Sequence, residues 1–144
     1  MADWVAITEA VVTENMPTDM ATLHTSWVQA NPGKAGRLAA LTAETVAIFR
    51  NAVRANPANE VDEDVTKVPM VAFRHAVNVI MFDLGMEMGV QFAAEVYSLF
   101  ARAEIWLRGV QRGDIPVTAE DTVGSPSYAA PDPAERAVWN WRMG

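Results

Sequence analysis

The titratable and nucleophilic side chains of this chain are sparse and do not form a reactive set. His24 and His75 are the whole histidine complement, and there is no cysteine. Zinc–thiolate sites, disulfide frameworks and cysteine nucleophiles are therefore excluded. A two-histidine metal site would need both residues, yet neither stands in an HxxxH or ExxH spacing that would stack ligands on one helical face. His75 falls beside the apolar face of a helix, the ordinary place for a partly buried, hydrogen-bonded imidazole. Asp83, Glu87 and Glu95 are carboxylates of the kind used in acid–base catalysis, but no nucleophile accompanies them. An acidic pair at i and i+4 is first of all a solvated helix face.

The chain has no GxxxxGK, no GxGxxG after a strand and no GxSxG, so phosphate loops and hydrolase elbows lack their minimal parts. Arg112-Gly113-Asp114 spells a cell-adhesion tripeptide. Its place at the end of a helical run makes Gly113 a left-handed C-cap and Arg112 a last-turn cation instead. Met81, Met86 and Met88 supply adaptable packing near Gly85 and Gly89. No catalytic residue, metal ligand or cofactor emerges, and the chain does not read as an enzyme.

The elements that must position these residues are helical. Thr8 is a plausible N-cap for a short helix stopped near Pro17, and Thr18 and Asp19 start a second through Trp27 and Val28. After a turn at Pro32 and Gly33, Lys34 to Ala55 holds good or neutral helix formers, with Leu38, Leu41, Thr45, Ile48, Phe49 and Ala52 on one face. The segment from Asn56 to Lys67 is an acidic loop carrying Glu60, Asp62, Glu63 and Asp64, and is the best candidate for a mobile segment. Pro69 opens the next long run, with Val71, Phe73, Ala76, Val77, Ile80, Met81 and Leu84 inward and Arg74, Asn78 and Asp83 facing elsewhere. Gly85 to Gly89 interrupts it. Phe92, Val96, Leu99, Phe100, Ala103, Leu107 and Val110 continue the spacing in a third long helix closed by Gly113 before Pro116. Ile105 and Trp106 fall outside that stripe, so this helix has a second apolar face, met either by the N-terminal helix or by a neighbouring subunit.

From Asp114 onward Pro116, Pro126, Pro131 and Pro133 rule out a continuing bundle. The tail ends with Trp139 and Trp141, which are costly to leave in water; they fold back on the bundle or anchor the chain to another protein. The expected fold class is all-α: a small helical bundle with three long helices, short N-terminal helices and an extended C-terminal tail. The bundle domain covers residues 1–115 and the tail 116–144.

A length of 144 residues is about one domain, and 51% hydrophobic with 20% charged residues is ordinary for a folded protein. A mean hydropathy of +0.05 leaves room for apolar surface reserved for partners. The formal charge of −7 argues against gripping a phosphate backbone through a basic patch. The same sign suits a surface past which nucleic acid slides, as well as plain solubility. Asp3 and Glu9 in MADWVAITEAVV do not make a secretory signal. Asp83, Glu87, Glu95 and Arg102 punctuate the central helices below the roughly 18 apolar residues of a membrane span. Absence of cysteine suits a reducing compartment, and also an exposed particle.

Three stretches carry a resemblance: ITEA at Ile7 to Ala10, the Val68-Pro69 helix start, and YSLFARAEIWLRGVQRGDIPV at Tyr97 to Val117. Together they span most of Ile7 to Val117. In this layout the chain resembles the helical head-tail connector proteins (adaptor, or head-completion proteins) of tailed bacteriophages. The long helix from Lys34, the acidic loop and the Trp-rich ending depart from the family pattern.

The resemblance implies a structural virion protein at the neck, the head-tail interface, made in the host cytoplasm. It implies a homo-oligomeric ring, usually dodecameric, beneath the portal protein and above a tail-side neck or tail-completion protein. DNA would pass through without sequence-specific binding, and no membrane is involved. Trp106, Tyr128, Trp139, Trp141 and Arg142 are then candidates for the portal or neighbour-subunit interface, and Glu60, Asp62, Glu63 and Asp64 for a channel-facing acidic loop. The competing expectation is a small helical regulatory or inhibitor protein that binds a single protein partner.

Overall fold

A computed structural model describes residues 3–117 and, for backbone only, the strand Trp141–Met143. Among the described residues the chain is mostly helical, as expected, with two short two-stranded ribbons that periodicity did not foretell. The elements run β1 (Trp4–Ala6), α1 (Glu9–Asn15), α2 (Thr18–Ala30), a 3-10 turn (Pro32–Lys34), α3 (Arg37–Arg54), β2 (Lys67–Pro69), α4 (Met70–Glu87), β3 (Val90–Phe92), α5 (Ala94–Gln111) and β4 (Trp141–Met143).

The start of α1 follows directly from local chemistry. Thr8 is extended and its Oγ1 accepts the Val11 amide at 3.3 Å, while Glu9 complements the helix dipole. Just upstream, β1 pairs antiparallel with β2 in the register Trp4–Pro69, Val5–Val68 and Ala6–Lys67. Val5 and Val68 are both buried, so this ribbon ties the N-terminus to the entrance of α4. Pro69 leaves the strand at φ −56° and ψ 143°; its fixed φ and missing N–H make it a natural last strand residue before a helix.

α3, α4 and α5 pack against one another, with α4 in the middle. Eleven of its residues are buried, on nearly all sides, which is the pattern of a helix enclosed by neighbours. Asn78, expected to face outward, is therefore only 4% exposed. On α3 the buried stripe is Leu38, Leu41, Thr42, Thr45, Val46, Phe49, Ala52 and Val53. Ile48, read as part of it, lies on its flank and is 53% exposed.

Element boundaries shift for identifiable reasons. Residues 32–34 form a 3-10 turn, so α3 begins at Arg37 and not at Lys34. Gly85 is buried inside α4 and does not interrupt it. The break comes at Gly89, whose φ of +77° only glycine adopts without strain. Phe92 accordingly sits in β3, and α5 starts at Ala94.

The end of α5 closes as a Schellman motif around Gly113 at φ +79°. The Gly113 amide donates to Val110 O at 3.1 Å and the Asp114 amide to Gly109 O at 2.8 Å. Ile115 then folds back on the helix, and Val117 is buried with Ala52, Val53 and Val110 in a small second cluster. Trp106 and Leu107 touch both this cluster and the main core.

Candidate functional site

The acidic loop between α3 and β2 is built on one buried cation. Arg50 projects from the buried face of α3 and is 5% exposed. Its Nη1 donates to Asp64 O at 2.7 Å and Lys67 O at 2.8 Å, its Nη2 donates to Asp62 O at 2.5 Å, and its guanidinium lies 5.4 Å from the centre of the Trp4 ring. A planar fork of donors suits three converging carbonyls, and the aromatic face adds a cation–π contact. Burial, then the neighbouring Arg54, lowers the Arg50 pKa, against Asp62 and Asp64; a guanidinium nevertheless stays charged in proteins. Composition pointed to a mobile segment, whereas this geometry fastens the C-terminal half of the loop backbone, at residues 62, 64 and 67, to α3.

Side chains of the loop reinforce its shape. Asp62 Oδ1 accepts the Asp64 amide at 2.8 Å, and Asp64 Oδ1 accepts both the Thr66 amide at 2.9 Å and the Thr66 hydroxyl at 2.7 Å. These are Asx turns, which favour Asp for its short acceptor. The Thr66 hydroxyl, then its amide, holds the Asp64 carboxyl below the usual carboxylate range. Asn59 Nδ2 donates to Val53 O at 3.1 Å, and Asn56 Oδ1 accepts the Ala58 amide at 3.0 Å. Two of the four acids thus shape the loop, while Glu60 and Glu63 are exposed; Glu60, Val61, Asp62 and Glu63 line a shallow open depression.

Trp106, the other sequence-derived candidate within the described side chains, is half-buried. Its ring centre lies 5.8 Å from that of Phe49 on α3 and 5.8 Å from that of His75 on α4. Burial, then Arg102, lowers the His75 pKa. Ile105 beside it is 65% exposed, so the second apolar face of α5 is divided between core and solvent. Tyr128 and Trp139 lie outside the described residues, and of Trp141 and Arg142 only the backbone is described.

Three further features escaped the sequence reading. Arg37 Nε donates to Glu87 Oε1 at 2.7 Å and Oε2 at 2.9 Å, and Arg37 Nη1 lies 3.7 Å from Glu44. Beside them Asp83 is half-buried; burial first, then Glu87, Glu104 and Glu44, raise its pKa, with Arg37 opposing. The Asp83 and Glu87 pair is therefore not a plain solvated face, and no local signal could have shown that, because Arg37 comes from a helix fifty positions away. An apolar groove of about 400 Å³ runs along α3 between Ala39, Ala43 and Val46 on one side and Ile7 and Val65 on the other. Finally, Phe82 stacks on Phe92 and Phe100 with ring centres at 4.9 and 4.4 Å, edged by Tyr97 at 5.5 Å, beside β3.

Among the described residues no group of three or more His, Cys, Asp or Glu is arranged to hold a metal ion, and no helix is long and apolar enough to cross a membrane. Neither Asp83 nor the acids at 60–64 border the apolar groove. These features are surfaces that can hold a partner and carboxylates that can repel one. Compared with protein-family models, with curated proteins and with solved structures, the chain has no match.

Proposed function

We propose that this chain is a structural, non-enzymatic subunit of a bacteriophage neck: a three-long-helix bundle with an extended C-terminal tail that forms a ring beneath the portal protein and extends the DNA channel toward the tail. The observation that carries this reading is the placement of large exposed apolar side chains on separate elements: Ile48 on α3, Val65 in the loop, Met86 near the end of α4, and Tyr97 and Ile105 on α5. A ring of identical copies joins by heterologous contacts, so each subunit needs two different sticky patches. A chain with one docking partner needs only one.

The acidic loop supports the same reading. Fixed through its carbonyls, it keeps Glu60 and Glu63 at the surface, and a channel lined by such carboxylates would let DNA slide without adhering. The tail residues Tyr128, Trp139, Trp141 and Arg142 are the proposed contacts to portal or neighbour, since aromatic and arginine anchors dominate interface energetics. The test is electron microscopy of particles made when the gene is silenced in its source system. DNA-leaking or tailless heads, restored by supplying the protein, are the expected result; normal tailed particles would end the proposal.

The apolar groove favours a second reading, a small regulatory or inhibitor protein with one partner segment seated along α3. It predicts a one-to-one complex and no ring.

A further inference from the structure

The apolar groove along α3 has a wall that is fixed before anything enters it. Val65 stands on the side facing α3, and the carbonyls that flank it, those of Asp64 and Lys67, are both held by Arg50, which projects from α3 itself. The Ile7 amide, donating to Thr66 O at 2.9 Å, joins the rest of that wall to the same stretch of backbone. Val65 is nevertheless 74% exposed, an apolar side chain displayed by a clamped backbone. We propose that this groove takes a basic amphipathic helix from a different protein, with aliphatic side chains along the groove and Lys or Arg on its flanks.

The chemistry of the lining selects a helix. Three hydroxyls border the groove and each is engaged within the chain: Thr8 Oγ1 accepts the Val11 amide, Thr42 Oγ1 donates to Leu38 O, and Thr66 Oγ1 donates to Asp64 Oδ1. The wall backbone is paired as well, β1 with β2 and Ile7 with Thr66. An extended peptide or a small polar ligand needs donors and acceptors at its site. A helix arrives with its backbone bonds made and needs apolar contact alone.

Dimensions agree with that occupant. Ala39, Ala43 and Ala47 stand exposed at four-residue spacing, a row of about 12 Å at roughly 1.5 Å per residue. Anchors at i, i+4 and i+7 of a docking helix span about 10.5 Å on the same rise. Side chains of one methyl group let a second helix axis approach toward the near end of the roughly 8–10 Å packing range.

Charge narrows the partner. Glu9 lines the groove, Asp64 directly precedes Val65 and Glu44 directly follows Ala43, while no Lys or Arg is among the described lining residues. Of the cations close in sequence, Lys67 lies two residues beyond Val65, and Arg37, 3.7 Å from Glu44, is already held by Glu87. A second copy of this chain carries −7 and would set acid against acid. A helix flanked by Lys or Arg meets these carboxylates with the opposite sign. This docking deepens the one-partner reading and rests on it only for there being a partner.

The probes are two synthetic peptides of about 18 residues, long enough to hold a helix. They share Leu and Ala at i, i+4 and i+7 and differ only in carrying Lys or Glu on the flanks. Each is titrated into the full-length chain labelled for NMR. The Lys peptide should shift the amide signals of Ala39, Ala43, Ala47 and Val65 and bind at least about tenfold tighter than the Glu peptide. Ala43→Gln, which fills the groove from an exposed helix position, should weaken it at least about tenfold, whereas Ile105→Gln on α5 should not; equal melting temperatures exclude unfolding as the cause. Equal affinity of the two peptides overturns the proposal, and so does absence of binding, whatever fills the groove, residues of this chain included. Light scattering of the free chain covers the remaining occupant, since a dimer that Ala43→Gln dissociates assigns the groove to a second copy and overturns the proposal. Shifts gathered at Tyr97 and Ile105 remove the groove and keep the one-partner reading; a peptide held in the groove of a chain that is itself a ring keeps the groove and removes that reading.

Discussion

Gly109 and Ile115 meet across the last turn of α5 so closely that a β-carbon on Gly109 would stand 2.5 Å from Ile115 Cδ1 and 2.9 Å from its Cγ1. The Schellman turn at Gly113 brings this about, since the Asp114 and Ile115 amides both donate to Gly109 O. Gly109 is therefore glycine for space and Gly113 for its left-handed backbone, two different reasons within five residues.

Gly109→Ala should destabilise by about 1–3 kcal/mol through overpacking, despite the helical preference for alanine. In an Ile115→Ala background the same change should become neutral or stabilising. A double-mutant cycle measured by urea unfolding checks this; equal costs in both backgrounds would mean that Ile115 is not the obstacle.

Arg50→Met should cost roughly 2–4 kcal/mol, since it deprives three loop carbonyls of a charged donor. Arg50→Lys should recover only part, because a point charge cannot reproduce the planar fork. Hydrogen exchange of residues 62–67 should rise sharply in both variants while the middle of α4 stays protected in the milder one. Unchanged exchange in the loop would show that its own Asx turns suffice.

Asp83 sets a pH dependence whose sign is fixed by its raised pKa. The folded state holds the proton more tightly than the unfolded chain, so this residue's effect on stability is most favourable at low pH and is lost as pH rises from the unfolded to the folded value. Asp83→Asn should then be more stable than the parent at neutral pH, with the difference shrinking on acidification. Melting temperatures of both proteins across the acidic range decide it; a difference that grows as pH falls would reverse the assignment.

Trp106→Ala should cost about 3–5 kcal/mol in the isolated chain, given its packing on Phe49 and in both core clusters. Trp106→Phe should recover much of it. A near-neutral Trp106→Ala in thermal melting would instead mark the ring as an interface residue.

Local signals made much of this legible in advance. Thr8 announced α1, Pro69 the entrance to α4 and Gly113 the end of α5, because each acts through its own backbone or the next three residues. Ile48 and Asn78 were misplaced for a common reason: periodicity gives the face of a helix, but how wide a face is buried depends on what packs against it. α4 is enclosed and so buries Asn78, whereas the flank of α3 meets solvent and so exposes Ile48.

The sequence by itself determined the mostly helical character, the caps and stops, and the acidic patch with few reactive groups. Those are properties of spacing and residue type, and they need no partner in space. Tertiary structure alone decided that Arg50 would gather the carbonyls of Asp62, Asp64 and Lys67, that Arg37 would hold Glu87, that the N-terminal residues would pair with β2, and that residues 141–143 would return to β3. Each joins positions distant along the chain through hydrogen bonds or charge, whose strength depends on separation in space and not on order in sequence.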